Sequence, residues 1–371
     1  MPAVLDRRAL NRALLARQWL LGPRRAATAL EAIEHLGGLQ AQDAKAPYFQ
    51  LWARLANFDA AELSDLLERR EAVRIAAQRS TIHLLSGRDA PALRALGQRE
   101  IVRATDGNWK LPTDVDGDAV MAAGRALVDA QPRTFAQLAA ELGPRWPHAD
   151  PKALAQQVRA RVPLVQVPPR GLWGRGGAPA HTSLEAWTGR TPPAPDDLDL
   201  APLIRRYLAA FGPARAADFQ KWSGRRAGVI EAFAALRSDL MVFADEDGRE
   251  LLDLPDAPRP AADTPAPPRL TGPFDNLILS HADTARVLPA EHRPRVMTQN
   301  GLIAGLVLVD GFVAGTWKLG KATKKSATLT IAGFEAFDPE AVAALTDEAT
   351  RLLDFAAPGS AERDVVLAPA G

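Results

Sequence analysis

One order of elements occurs three times along this chain, and that recurrence limits its fold more than any other feature. Apolar spacing suited to an amphipathic helix runs over residues 9–21 and stops at Gly22-Pro23. A second helix is predicted over 26–36, ending at Gly37, and a third over Tyr48–Asn57, opened by Pro47, where a first-turn proline is tolerated. Asp59 reads as the N-cap of Ala60–Arg69. Two strand-like segments follow, Ala72–Ala77 and Ser80–Ser86, then a helix over Ala90–Ala104 behind Asp89. The order comes back as helices Thr134–Leu142 and Pro151–Val162 with a hairpin of Leu164–Val167 and Gly171–Gly174. It returns again as helices Leu200–Phe211, Ala216–Ser223 and Arg226–Ser238 before strands Met241–Ala244 and Leu251–Leu254. Recurrence of one supersecondary unit argues for tandem modules.

Helices followed by a small hairpin is the winged-helix order. Proline-rich breaks at Thr191–Pro195 and Asp256–Pro268 mark seams. Beyond the second, strands dominate: Leu277–Ser280, Leu302–Val309, Gly311–Lys318 and Ala327–Phe334, then a helix over Pro339–Phe355. Asp310-Gly311 between apolar runs is a strong two-residue hairpin signal. The expected fold class is α+β: three tandem winged-helix modules and a small C-terminal β-barrel-like domain. Expected boundaries are 1–110, 111–195, 196–257 and 258–371. A chain of 371 residues, 47% apolar and 24% charged, has room for several domains with a large core.

Composition excludes several chemistries. Zero cysteine removes disulfide frameworks, zinc–thiolate sites and cysteine catalysis. Six scattered histidines make no metal cluster, and no HExxH, P-loop or GxSxG motif occurs, so neither metal nor cofactor is implied. The N-terminus lacks the apolar core of a signal peptide, and the longest apolar run, 301–309, is too short to span a bilayer. A cytoplasmic protein without membrane attachment is expected. Net charge is only +1, although residues 1–110 carry 17 Lys and Arg against 12 Asp and Glu. On charge alone, a solvated helical surface explains that excess better than a nucleic-acid site.

The stretch Gly37-Gly38-Leu39-Gln40-Ala41-Gln42 joins two helices in an unusual way. Paired glycines let backbone approach another surface closely. Extended geometry across Gln40-Ala41-Gln42 sends both amides the same way, and each amide supplies two donors and an acceptor. The pair is an uncharged device for orienting water or reading a polar ligand. Arg79, Thr81 and His83 alternate along the next strand and so share a face, with surface decoration and a groove role equally open. Lys318, Lys321, Lys324 and Lys325 lie on a hairpin beside Trp317, as a phosphate grip or as an exposed basic turn. Asp43 reads as a cap, and His281-Ala282-Asp283 with Arg286 reads as a seam hydrogen bond. Gly171–Gly177 lacks the context of a phosphate loop and reads as a wing tip.

On Gly38-Leu39-Gln40-Ala41-Gln42, Arg79-x-Thr81-x-His83 and Asp275-Asn276-Leu277-x-Leu279-Ser280-His281-Ala282-Asp283, the sequence resembles the AlkZ/YcaQ superfamily of bacterial alkyl-DNA glycosylases over nearly its whole length. The Gln-x-Gln form resembles the AlkZ branch, which protects producers of DNA-alkylating antibiotics such as azinomycin. The YcaQ branch carries Asp where Gln42 stands. The resemblance implies that Gln40 and Gln42 are catalytic, that the partner is double-stranded DNA carrying an alkylated purine, and that the protein is a monomer. It implies hydrolysis of the N-glycosidic bond of bulky N7-alkylated guanine. Arg79, Thr81, His83, Lys318, Lys321, Lys324 and Lys325 are then expected DNA contacts. A winged-helix transcription regulator and a lesion-binding protein without chemistry are the alternatives.

Overall fold

The computed structural model describes residues 2–298 and 300–368. Helices Arg7–Arg17, Ala29–His35, Ala46–Trp52 and Ala60–Glu68 precede the strand pair Ala72–Ala76 and Ile82–Ser86. Their ends follow local chemistry. Asp6 accepts from the Ala9 N–H, Thr28 and Glu31 close a reciprocal capping box, and Asp59 caps through the Ala61 N–H. After the long helix Ala90–Asn108, the sequence Gly117–Ala130, Phe135–Leu142 and Pro151–Arg161 leads to strands Leu164–Gln166 and Ala180–Ser183. Helices Ala201–Phe211, Ala216–Ser223 and Val229–Leu236 lead to Met241–Ala244 and Glu250–Asp253. Helices followed by an antiparallel strand pair therefore occur three times in this mixed α+β chain.

The strand pairings join what the sequence separates. A six-stranded sheet runs, in order, through Leu39–Gln40, Ile82–Ser86, Ala72–Ala76, Leu164–Gln166, Ala180–Ser183 and Arg133–Thr134. It crosses the expected boundary near residue 110, through the Arg74–Gln166 and Ile75–Val165 pairs. A three-stranded sheet holds Ala3–Val4 parallel to Met241–Ala244, beside Glu250–Asp253. The C-terminal sheet orders Arg269–Thr271, Gly305–Val309, Phe312–Leu319, Ser326–Gly333 and Glu362–Ala368. Its outer strands do not pair with each other, so it is an open sheet and the expected barrel does not close. Pairing of Glu362–Ala368 is parallel, with Pro339–Ala356 as the crossover helix.

Two further expectations change. Leu277–Ser280 is not a strand: Asn276–Ile278 is a single helical turn capped by Asp275, whose side chain accepts from the Leu277 N–H. The apolar residues there are buried by packing against the rest of the chain, not by a sheet. The partner of Leu164–Gln166 is Ala180–Ser183, and Gly171–Gly174 lies in the loop between them. Trp173 of that loop packs tilted against Tyr48 and Phe355 and edge-on to Phe49.

One apolar core runs through the first and third units and the C-terminal sheet, while Val120, Val128, Leu138, Leu142, Leu154 and Val158 form a second core. The first helix fastens the parts. Buried Arg17 makes a two-pronged pair with buried Asp253, at 2.6 and 2.8 Å. Arg12 reaches Asp310 at 2.5 Å, on the Asp310-Gly311 turn. Both turn residues have positive φ, 47° and 80°, as a two-residue hairpin of this type demands.

Candidate active site around Gln40 and Gln42

Helix Ala29–His35 ends in two left-handed residues, Gly37 at φ 63° and Gly38 at φ 94°. Their N–H groups donate to the Glu34 and Ile33 carbonyls, satisfying the helix end. The chain can then pass against the next strand because a Cβ on Gly38 would lie 2.2 Å from the Leu85 side chain. Leu39 and Gln40 pair with Leu84 and His83, and the Ala41 N–H donates to the Ile82 carbonyl at 2.7 Å.

Four buried side chains hold the backbone of this stretch. Gln78 Nε2 donates to the Gly37 carbonyl at 2.9 Å, and Asn276 Nδ2 to that of Gly38 at 3.1 Å. Gln50 Nε2 donates to the Gln40 carbonyl at 3.1 Å, and Arg74 Nη2 to that of Ala41 at 2.9 Å. The motif is thus a fixed platform, with its carbonyls saturated from below by residues from four different elements.

The two amides differ in setting. Gln40 is buried, and its Oε1 accepts from Arg79 Nη2 at 2.8 Å. Gln42 is exposed, and its Oε1 accepts from the Ile82 N–H at 3.3 Å. Guanidinium and backbone N–H groups only donate, so both partners fix which end of each amide faces the protein. Each Oε1 thus faces its protein donor and keeps a second lone pair.

Arg79 is the hub. It sits in a turn, Gln78–Ser80, with φ 54°, and Ser80 follows at 59°. The expected strand face of Arg79, Thr81 and His83 is therefore not formed, because the strand begins only at Ile82. Arg79 nevertheless converges on Gln40, meeting His83 Nε2 at 3.3 Å and Asn276 Oδ1 at 3.1 Å. Its Nη1 donates to the Trp222 carbonyl at 2.5 Å, in the last turn of helix Ala216–Ser223, where the helix dipole favours a cation. Burial pulls the Arg79 guanidinium down to about 10, which leaves it charged at neutral pH.

His83 is fully buried, away from any surface that DNA can touch. Its Nδ1 donates to the Thr81 carbonyl at 3.1 Å, which leaves Nε2 as the acceptor facing Arg79. Burial first, and the Arg79 charge second, push its pKa down to about 3. The imidazole is neutral. Thr81 spends its hydroxyl on the Gln78 carbonyl at 3.1 Å.

Lys318, Lys321, Lys324 and Lys325 are exposed at and beside the tip joining Phe312–Leu319 to Ser326–Gly333. Among the described residues none of the four has a carboxylate within ion-pair distance, and no hydrogen bond joins this hairpin to the Gln40 cluster. Asp43 accepts from the Lys45 N–H at 2.8 Å in a local turn and does not cap helix Ala46–Trp52, whose N-cap position is Lys45. His281 lies at a seam, its Nε2 bonded to the Phe211 carbonyl at 2.9 Å, while Asp283 faces Arg249 and Arg286 holds the Pro213 carbonyl. Among the described residues no cluster of His, Asp and Glu could hold a metal ion.

Sequence reasoning missed Gln50, Arg74, Gln78 and Asn276 as supports of the platform. A signal existed for two of them: Gln50 and Arg74 interrupt otherwise apolar runs, Tyr48–Trp52 and Ala72–Ala76. A model of the AlkZ-like DNA glycosylases matches residues 33–355.

The chain belongs to the AlkZ-like DNA glycosylase family.

A curated relative of this AlkZ-like chain is an interstrand DNA cross-link repair glycosylase from Streptomyces sahachiroi, 33% identical over 135 residues. That alignment covers 34% of this chain and 36% of the relative, so it spans little more than a third of the curated protein. Among solved structures, the DNA glycosylase AlkZ of Streptomyces sahachiroi superimposes with a TM-score of 0.77. It is 22% identical, and the match covers 98% of this chain and all of that one. This likeness shows a shared fold. The family model includes the Gln40–Gln42 platform, Arg79 and Asn276.

Proposed function

We propose that this chain is a monofunctional DNA glycosylase that releases N7-alkylated guanine from duplex DNA. Its three helices-then-hairpin units act as winged-helix modules around the duplex. Guanine alkylated at N7 already carries positive charge, so C1′–N9 cleavage sends the bonding pair into the ring and releases a neutral base. A strong general acid is dispensable. Water adds to the cationic C1′ and loses its proton to solvent, leaving an abasic site. Neutral amides suffice to place that water and the sugar.

The fixed polarity of the two amides divides their work. Gln42 is exposed, and its Oε1, with one lone pair on the Ile82 N–H at 3.3 Å, has a second with which to hold the attacking water. Gln40, locked by Arg79, offers Nε2–H to an acceptor on the nucleotide. Arg79 lies behind the amide as an orienting group, because a cation beside C1′ would oppose the positive charge developing there. The observation that carries this reading is the Arg79–Gln40 bond within a saturated backbone platform.

The substrate class extends what the Streptomyces relative's name says of that protein, repair of cross-linked DNA. Self-protection against a DNA-alkylating antibiotic, in the cytoplasm and as a monomer, is the setting that goes with it. In this reading the four exposed lysines of the C-terminal hairpin meet phosphates. Incubation with a duplex carrying one N7-alkylguanine, then heating in alkali, tests the activity. Strand breaks at the lesion are expected. A transcription regulator or a lesion-holding protein gives none.

A further inference from the structure

A cleft of about 1000 Å³ opens between helix Ala90–Asn108 and helix Ala216–Ser223 with the loop that follows it. Arg79, Arg99, Arg103, Lys221, Arg225 and Arg226 line it, with Glu100 as the carboxylate among the lining residues. We infer that this cleft seats the sugar-phosphate backbone of duplex DNA.

The charges are not balanced from within. Glu100 is taken by Arg103 at 2.5 Å, and Arg99 pairs with the exposed carboxylate of Asp196. Arg225 is spent on the Pro195 and Ala227 carbonyls at 2.8 and 3.0 Å. Lys221 and Arg226 are exposed, and among the described residues neither has a carboxylate partner. The Lys221 ammonium is held below the ordinary lysine range, first by burial and then by the charges of Arg293 and Arg79. Like charges crowded together repel until an anion joins them, so the cleft gains most from a polyanion.

The lining also selects the kind of polyanion. No aromatic ring is present among the twelve lining residues, so no platform exists on which an unpaired base can stack. A backbone fits; a single strand gripped by its bases does not. Position links the cleft to the candidate chemistry. Arg79 lines it and holds Gln40 Oε1 at 2.8 Å. Gly224, at φ 80°, brings the loop bearing Arg225 and Arg226 against the Arg79 backbone, where a Cβ would lie 3.1 Å from its nitrogen.

The inference deepens the glycosylase reading, and its test uses undamaged DNA so that the two can fail separately. The full chain and the double variant Lys221→Ala/Arg226→Ala are titrated with an undamaged duplex and with a single strand of equal length, from low to high salt. Both residues are exposed, so an unchanged Tm verifies the fold. The slope of log K against log salt on the duplex should become shallower by roughly 2 units, because each phosphate left without its cation takes ~0.9 from it. Unchanged affinity and slope overturn the inference. So does a loss confined to Lys321→Ala/Lys324→Ala, or tighter binding of the single strand than of the duplex. Absence of base release from a damaged duplex, with the salt effect intact, counts against the glycosylase reading and leaves the cleft assigned.

Discussion

Arg79 shows how little of the candidate chemistry resides in Gln40 and Gln42 alone. Gln40 alone would rotate; bonded to a half-buried guanidinium that also meets His83 and Asn276, it has one orientation. Arg79→Lys keeps the charge but loses the fork that meets several acceptors at once. Base release should slow by about 10- to 100-fold, the loss of a charge-assisted hydrogen bond of ~1.5–3 kcal/mol. Single-turnover rates on an N7-alkylguanine duplex measure it, with undamaged-duplex binding measured alongside. His83 supplies a pH prediction. It titrates near 3, and His181 near 4, both chiefly through burial, against an ordinary value of 6.5. Below about 6.5 the unfolded chain binds protons that the native chain refuses. The stability contributed by these neutral imidazoles is therefore full above that pH and lost progressively as pH falls towards 4. Tm should drop from pH 7 to pH 5, while single-turnover base release, where the fold persists, shows no histidine limb between pH 8 and 6. Gln40, Gln42 and Arg79 were singled out from the sequence, Arg79 as a DNA contact and not as the partner of Gln40. The burial of His83 was not, because alternation along a strand cannot say that the neighbouring turn adopts positive φ.

Among the elements, the Gly37-Gly38 connection is the most constrained. Gly38→Ala combines φ 94° with a Cβ 2.2 Å from Leu85 Cδ2 and 3.2 Å from the Leu84 carbonyl oxygen. A loss of about 3 kcal/mol follows, read by denaturant unfolding. Gly107→Ala is the contrasting case, inside helix Ala90–Asn108 with nothing within 4 Å of a new Cβ, and should be neutral or stabilising by up to ~1 kcal/mol. Several helices could be read from caps and glycine stops, since these act within a few residues: Asp59 and the Asp310-Gly311 turn appear where the sequence puts them, while Thr28 caps a helix that begins at Ala29 and not at residue 26. Long-range elements were hidden. Helix Gly117–Ala130 escaped notice despite its Asp116 cap, and Glu362–Ala368 is a strand only because a crossover helix returns it to the sheet. The apolar run at Leu277 looked like a strand, yet Asp275 caps a turn there and aims Asn276 at Gly38.

At the scale of the molecule, the candidate site is assembled from segments more than two hundred residues apart, Gly38–Gln42 and Asn276. Arg54 and Asp275, both buried, form a two-pronged pair at 2.7 and 2.8 Å that locks the segment before Asn276 to the turn that ends helix Ala46–Trp52. Asp275→Asn strands a buried guanidinium and loosens the turn that presents Asn276. Stability should fall by about 3–5 kcal/mol, seen as a lower Tm. The six-stranded sheet that merges the first two units, and the open C-terminal sheet, were beyond the sequence, because strand order depends on pairings between distant segments. The proposed hydrolysis depends on Gln40 and Gln42. Gln40→Ala and Gln42→Ala, each verified by Tm to be folded, should release N7-alkylguanine from a duplex at least about 10-fold more slowly than the parent chain in single turnover. Rates equal to the parent's in both variants would contradict it.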